Sequence, residues 1–127
     1  MFRILIVDDT KSVHAFVKDL LARSCDIHTA SVFNGAEAIR LLQENKNFDL
    51  ILLDWEMPVV SGPEAFEEFK KMKLAIPTVM MTTKNKAEDI ERMLGMGVSE
   101  YLMKPFTIDI LFSKMESVSG RALPYAV

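Results

Sequence analysis

Residues 50–54 read Leu50-Ile51-Leu52-Leu53-Asp54, four apolar side chains in a row closed by a carboxylate. An unbroken apolar run of this length suits a strand buried on both faces, as in a parallel sheet covered by helices. The same figure stands at Ile4 to Val7 before Asp8 and Asp9, and nearly so at Thr78 to Met81 before Thr82. Working outward, a weaker strand is predicted at Ile27 to Val32 and a short one at Tyr101 to Met103, just before Lys104.

The intervening stretches carry helix periodicity. Val13, Phe16, Val17, Leu20 and Leu21 share one face of a first helix, and Ala38, Ile39 and Leu42 point inward from a second that Asn45 to Asn47 closes. Ser61-Gly62-Pro63-Glu64 has the Ser-x-x-Glu spacing of a capping box, which starts a third helix expected to reach about Lys73. Pro77 introduces strand four, and a helix with Ile90, Met93 and Leu94 inward ends near Gly95 or Gly97. Thr107 can cap a last helix lined by Ile108, Leu111, Phe112, Met115 and Val118, and residues from Gly120 read as a tail. Five strand–helix alternations predict an α/β fold, a parallel sheet with helices on both faces.

The chain has 127 residues, half of them hydrophobic and 26% charged, so one domain with a real core is expected. Fifteen basic against eighteen acidic residues leave a net charge of −3, which gives no reason to approach nucleic acid or an anionic membrane. The apolar N-terminal stretch is broken by Arg3 and stopped by Asp8, too short for a signal peptide or a membrane span. A single cysteine, Cys25, allows no internal disulfide, and His14 and His28 make no zinc pattern; a cytoplasmic location is expected. His14, beside Val13, is expected on a solvated helix face, and the nine methionines are read as core filling.

Ligands in open parallel sheets bind beyond the carboxyl ends of the strands. There this chain gathers Asp8 and Asp9, Asp54, Thr82 and Lys104. Taken singly, each is a turn former or surface decoration. Taken together, three carboxylates repel one another unless a cation or a lysine neutralises them, and oxygen-only ligands favour a hard ion such as magnesium. Lys104 is the built-in counter-charge. A Gly-rich phosphate loop and a Gly-x-Ser-x-Gly elbow are both missing, which removes the usual signatures of nucleotide binding and serine hydrolysis.

The blocks Ile4-Leu5-Ile6-Val7-Asp8-Asp9, Leu52-Leu53-Asp54-Trp55-Glu56-Met57-Pro58 with Ser61-Gly62, Val79-Met80-Met81-Thr82-Thr83 and Tyr101-Leu102-Met103-Lys104-Pro105-Phe106 resemble those of the response-regulator receiver family, over about residues 2 to 118. Trp55 and the Lys-Pro-Phe block are similar to its chemotaxis branch. The resemblance implies a flavodoxin-like (βα)5 fold, a five-stranded parallel sheet of order 2-1-3-4-5. It assigns a receiver domain to residues 1–120 and a tail to 121–127. It further implies that Asp54 accepts a phosphoryl group from a partner histidine kinase, with Mg2+ held by Asp9, Asp54 and the backbone carbonyl of Glu56, while Asp8 orients the metal's waters. Lys104 would pair with the phosphoryl oxygens, and Thr82 and Tyr101 would move together to reshape the surface of helix four, strand five and helix five. Ile90, Tyr101, Met103, Phe106 and Lys114 are the candidate contacts there for a target protein, for instance one of the flagellar motor, and a phosphatase is a further partner. The bond before Pro105 is expected to be cis.

Two positions depart from the best-known chemotaxis regulators: Glu56 stands where they carry Asn, and Lys84 where they often carry an acid. This pair is expected to face each other across the site. The function read from the sequence is thus a monomeric phosphoacceptor switch that turns over no external substrate. Alternatives are the receiver of a longer response regulator and a magnesium-dependent phosphatase of small esters, with Glu56 as its second acid.

Overall fold

The computed structural model describes residues 1–126. Ten elements alternate: β1 (Phe2–Val7), α1 (Lys11–Leu21), β2 (Ile27–Val32), α2 (Gly35–Glu44), β3 (Leu50–Asp54), α3 (Gly62–Lys71), β4 (Thr78–Thr82), α4 (Ala87–Gly95), β5 (Glu100–Met103) and α5 (Ile108–Ser119). All strands pair in parallel, in the order β2-β1-β3-β4-β5.

Because successive side chains of a strand point to opposite faces, the apolar runs feed two cores. Ile4, Ile6, Leu50, Leu52, Val79, Met81 and Leu102 pack under α1 and α5 with Val17, Leu111, Phe112 and Met115. Leu5, Val7, Ile51, Leu53 and Met80 face the other way, against Ala38, Ala65, Phe66, Phe69 and Met93. The central strands β3 and β4 are buried along their whole length, which is why their sequences do not alternate.

Helix ends follow their residues. Ser61 Oγ accepts the Glu64 N–H while Glu64 Oε1 accepts the Ser61 N–H, the expected capping box. Thr107 and Asn34 cap α5 and α2 in the same way through the Ile110 and Glu37 N–H groups. Helix α3 stops two residues sooner than expected, because Met72 is its cap and Lys73 turns into left-handed backbone with φ of 56°.

The helix faces differ from the expected ones at three places. In α1 the buried line is His14, Val17 and Leu21, whereas Phe16 is 43% exposed. His14 is therefore not on a solvated face: it is 3% exposed, since the inward stripe runs at i, i+3, i+7 from residue 14. In α4, Leu94 is 46% exposed and only Met93 is fully inward. The segment after Gly120 docks on the body: Leu123 is buried in the α1–α5 core, Tyr125 stacks on Phe112, and the Ala126 N–H donates to the Arg23 carbonyl at 2.9 Å. Among the described residues no helix is long and apolar enough to cross a membrane.

Candidate functional site

Parallel pairing places the carboxyl ends of β1, β3, β4 and β5 along one edge, and a site residue singled out above stands at or just beyond each end. Asp54 is the last residue of β3, Thr82 the last of β4, while Asp8 and Asp9 follow β1 and Lys104 follows β5. One carboxylate oxygen from each of Asp8, Asp9 and Asp54 lies within 4.8 Å of the others. Asp8 and Asp54 are buried and Asp9 is exposed, so the cluster has a floor and an open side.

Lys104 closes the floor. Its Nζ donates to Asp8 Oδ2 at 2.9 Å and to Asp54 Oδ1 at 3.0 Å. Asp8 Oδ1 accepts the Thr10 N–H at 2.9 Å, so both oxygens of that carboxylate are engaged. The Lys104–Pro105 bond is cis, as expected, and the Lys104 N–H donates to the Thr82 carbonyl at 2.7 Å, tying strand five's turn to strand four. Thr82 is 1% exposed, and its Oγ1 accepts the Lys84 N–H at 2.9 Å.

Burial pushes the Asp54 carboxyl up from 3.8 to about 6, with help from the neighbouring Asp8 charge; Lys104 and the Glu56 backbone N–H pull the other way and do not win. For Lys104 the balance reverses. Burial would lower its pKa, but its hydrogen bonds to Asp8 and Asp54 outweigh that and leave it raised. Three carboxylates against one ammonium make a formal charge of −2, which one divalent cation would cancel. All donors are oxygens, which suits a hard ion.

Gly62 explains the Ser-Gly step after the acidic strand end. A Cβ there would overlap the Asp54 carbonyl oxygen and sit 2.8 Å from the Trp55 Cα, so glycine alone lets the start of α3 close on the β3 exit. The Gly62 N–H donates to the Trp55 carbonyl at 3.0 Å, and the Trp55 N–H to the Met81 carbonyl at 2.8 Å. These bonds fix the loop on which Asp54 depends. Glu56 and Lys84 do face each other at the mouth, Nζ to Oε1 at 3.8 Å, both well exposed.

On the α4–β5–α5 face, Ile90, Tyr101, Met103 and Lys114 are each partly exposed. Lys114 is already engaged there: its Nζ lies 3.2 Å from Glu100 Oε1 and 4.6 Å from the Tyr101 ring centre. Phe106 does not belong to that surface. It is 6% exposed and packs in the α1–α5 core, its ring 5.5 Å from that of Phe16. Beside it, Val13, Phe16, Pro105 and Phe106 line an apolar groove of about 400 Å³ that runs up to Lys104.

The family model of the response regulator receiver domain matches residues 4–116. The chain belongs to the response-regulator receiver family. Among curated relatives, the chemotaxis protein CheY homolog of Campylobacter jejuni is 31% identical over 93% of this chain and 92% of its own length. The chemotaxis protein CheY of Pseudomonas aeruginosa is 33% identical over 94% and 97%. Among solved structures, the receiver domain of the Francisella response regulator 1452 superposes with a TM-score of 0.86 at 30% identity, covering 95% of this chain and 98% of that one. Receiver domains bind a divalent metal through an aspartate cluster, and the cluster of this receiver is Asp8, Asp9 and Asp54.

Sequence reasoning missed one residue at this receiver's site, His14. Its Nε2 lies 2.7 Å from the Asp8 carbonyl oxygen and its Nδ1 3.0 Å from Ser31 Oγ. The signal was present in the i, i+3, i+7 spacing with Val17 and Leu21, but the longer apolar list through Phe16 masked it.

Proposed function

We propose that this receiver is a CheY-like response regulator that accepts a phosphoryl group on Asp54 from a histidine kinase and then binds a target protein, in chemotaxis. The carrying observation is Lys104, which reaches Asp8 and Asp54 at once from the far edge of the sheet and so stands where a phosphoryl group on Asp54 would need a cation. An Asp54 oxygen would form the new P–O bond as the P–N bond to the donor imidazole breaks, and the freed nitrogen takes up a proton. Lys104 would leave Asp54 for the incoming phosphoryl oxygens while keeping Asp8. Mg2+ held by Asp9, Asp54 and the Glu56 carbonyl, with its waters oriented by Asp8, would supply the remaining charge neutralisation. Thr82 Oγ1 would exchange the Lys84 N–H for a phosphoryl oxygen, and Tyr101 would move with it.

The target surface is then Ile90, Tyr101, Met103 and Lys114 on α4, β5 and α5, and the target proposed is a flagellar motor protein; the names of the curated relatives support chemotaxis. The protein works as a cytoplasmic monomer, and a phosphatase resets it. Turnover of external phosphate esters is disfavoured by Glu56, whose side chain is exposed and paired with Lys84 instead of lying over the pocket as a second acid. Incubation with a small phosphodonor and Mg2+ tests the reading by intact mass and released phosphate together. A switch gains one phosphoryl group; an ester phosphatase remains unmodified and releases phosphate steadily from several esters.

A further inference from the structure

Asp9 is the weakly held member of the aspartate cluster. Asp8 and Asp54 are buried and tied by Lys104, and Asp8 also by the Thr10 N–H. Asp9 is exposed, and among the described residues its side chain has neither a hydrogen bond nor an ion pair. Its position therefore rests on the backbone that carries it, and that backbone begins with the peptide plane shared by the Asp8 carbonyl and the Asp9 N–H.

His14 grips that plane. It lies one helical turn past Thr10, whose carbonyl accepts the His14 N–H at 3.3 Å, so the side chain reaches back towards the strand end. A carbonyl oxygen can only accept, so at 2.7 Å the proton between the two sits on His14 Nε2. The other nitrogen meets Ser31 Oγ on β2 at 3.0 Å, and the ring lies against Phe33 with centroids 4.3 Å apart. The imidazole is thus fixed in its plane by two polar contacts and across its plane by an aromatic one. It is 3% exposed, so solvent does not compete for the bond to Asp8.

We infer that His14 is a positioning residue for the metal site: through its Nε2–H bond to the Asp8 carbonyl it sets the Asp8–Asp9 peptide and hence the place of the Asp9 carboxylate. Ser31 and Phe33 hold the ring at the angle this requires. The role differs from general packing support because it acts on one ligand, Asp9, through one peptide. It rests on the proposed metal-assisted phosphoacceptor site, but its signature is metal affinity and needs no phosphoryl transfer.

The test is titration with Mg2+, followed by the fluorescence of Trp55, the single tryptophan, which adjoins Asp54. Five proteins are compared at a temperature where circular dichroism shows all of them folded: wild type, His14→Leu, His14→Gln, Asp9→Ala and the double variant that carries both His14→Leu and Asp9→Ala. His14→Leu should weaken Mg2+ binding roughly tenfold, the low end for loss of a residue that orients a metal ligand. His14→Gln, whose amide can again donate to the Asp8 carbonyl, should come back to within about threefold of wild type, a partial loss consistent with one retained hydrogen bond of two. Adding His14→Leu to Asp9→Ala should bring little further loss, since the ligand that His14 places is gone. Equal affinity of wild type and folded His14→Leu would overturn the inference while leaving the metal site standing. An undiminished tenfold effect in the Asp9→Ala background would also overturn it, as general support. Absence of any Mg2+ binding by the wild type would overturn both this inference and the proposed function.

Discussion

Replacing Asp54 by Asn should make the metal-free protein more stable, although it removes one of the two carboxylates bonded to Lys104. The folded state holds the Asp54 carboxyl at about 6 against an ordinary 3.8, because burial and the Asp8 charge outweigh Lys104. A group raised in this way favours folding least when it is ionised, so the penalty is absent below the unfolded value, grows as pH rises through the window from 3.8 to about 6, and is complete above it. At about 1.4 kcal/mol for each pH unit of displacement, the full penalty is about 3 kcal/mol. It falls to about 1 kcal/mol at about pH 4.5, where the folded carboxyl is almost wholly protonated and the pH is less than about one unit above the unfolded value. The Asn side chain keeps the shape and an oxygen for Lys104, but its NH2 needs an acceptor, which trims the gain to about 1–3 kcal/mol near neutral pH. Urea unfolding of wild type and Asp54→Asn in chelator, at about pH 8 and about pH 4.5, reads the difference through the midpoint at constant slope. Adding Mg2+ at the higher pH should narrow the gap, because only the wild type retains the full ligand set. A variant less stable than wild type at the higher pH, or a gap that does not shrink on acidification, would refute the reasoning.

The raised Asp54 pKa also makes Mg2+ binding proton-linked: affinity measured by titration should be flat above about pH 7 and fall as pH drops through about 6, whereas a pH-independent affinity would mean that Asp54 is not a ligand. Gly62→Ala should destabilise the fold by roughly 2 kcal/mol or more in urea unfolding, since the added Cβ meets backbone atoms of Asp54 and Trp55 that cannot give way. Glu56→Asn and Lys84→Ala should each speed loss of phosphate from Asp54 by up to about fivefold, the worth of an exposed pair, and the double variant should be no faster than the faster single. Additive rates in that cycle would mean that the two side chains act separately.

The parts of this fold that were legible in the sequence are those where one physical demand acts alone. Leu50 to Leu53 and Ile4 to Val7 must be apolar throughout because both faces of the sheet are covered, and no other element type of that length needs such a run. Caps at Ser61 and Thr107 were legible because a hydroxyl three residues before an unpaired N–H has a local reason to be there. The site residues followed from topology: once strands are parallel, their last residues must meet. What was not legible depended on partners far along the chain. Phe16 and His14 differ by half a helical turn, and only contact with Phe106, Ser31 and Phe33 decides which of them turns inward. Leu123 and Tyr125 lie in a stretch without periodicity, and what draws them in is the distant α1–α5 core, which buries Leu123 and sets Phe112 against the Tyr125 ring. Phe106 is expected at the target surface only through the family resemblance, whereas its ring packs in the α1–α5 core beside Phe16.

The central claim is that Asp54 is the phosphoacceptor, and locating the label tests it most directly. Protein treated with a small phosphodonor and Mg2+ is reduced with borohydride, which converts an acyl phosphate but not a free carboxylate to the alcohol, and the modified residue is then found by peptide mass mapping. Modification at Asp54 alone, and none in Asp54→Ala, is the predicted result. Reduction at Asp8 or Asp9 with Asp54 intact, or undiminished phosphoryl uptake by Asp54→Ala, would contradict it.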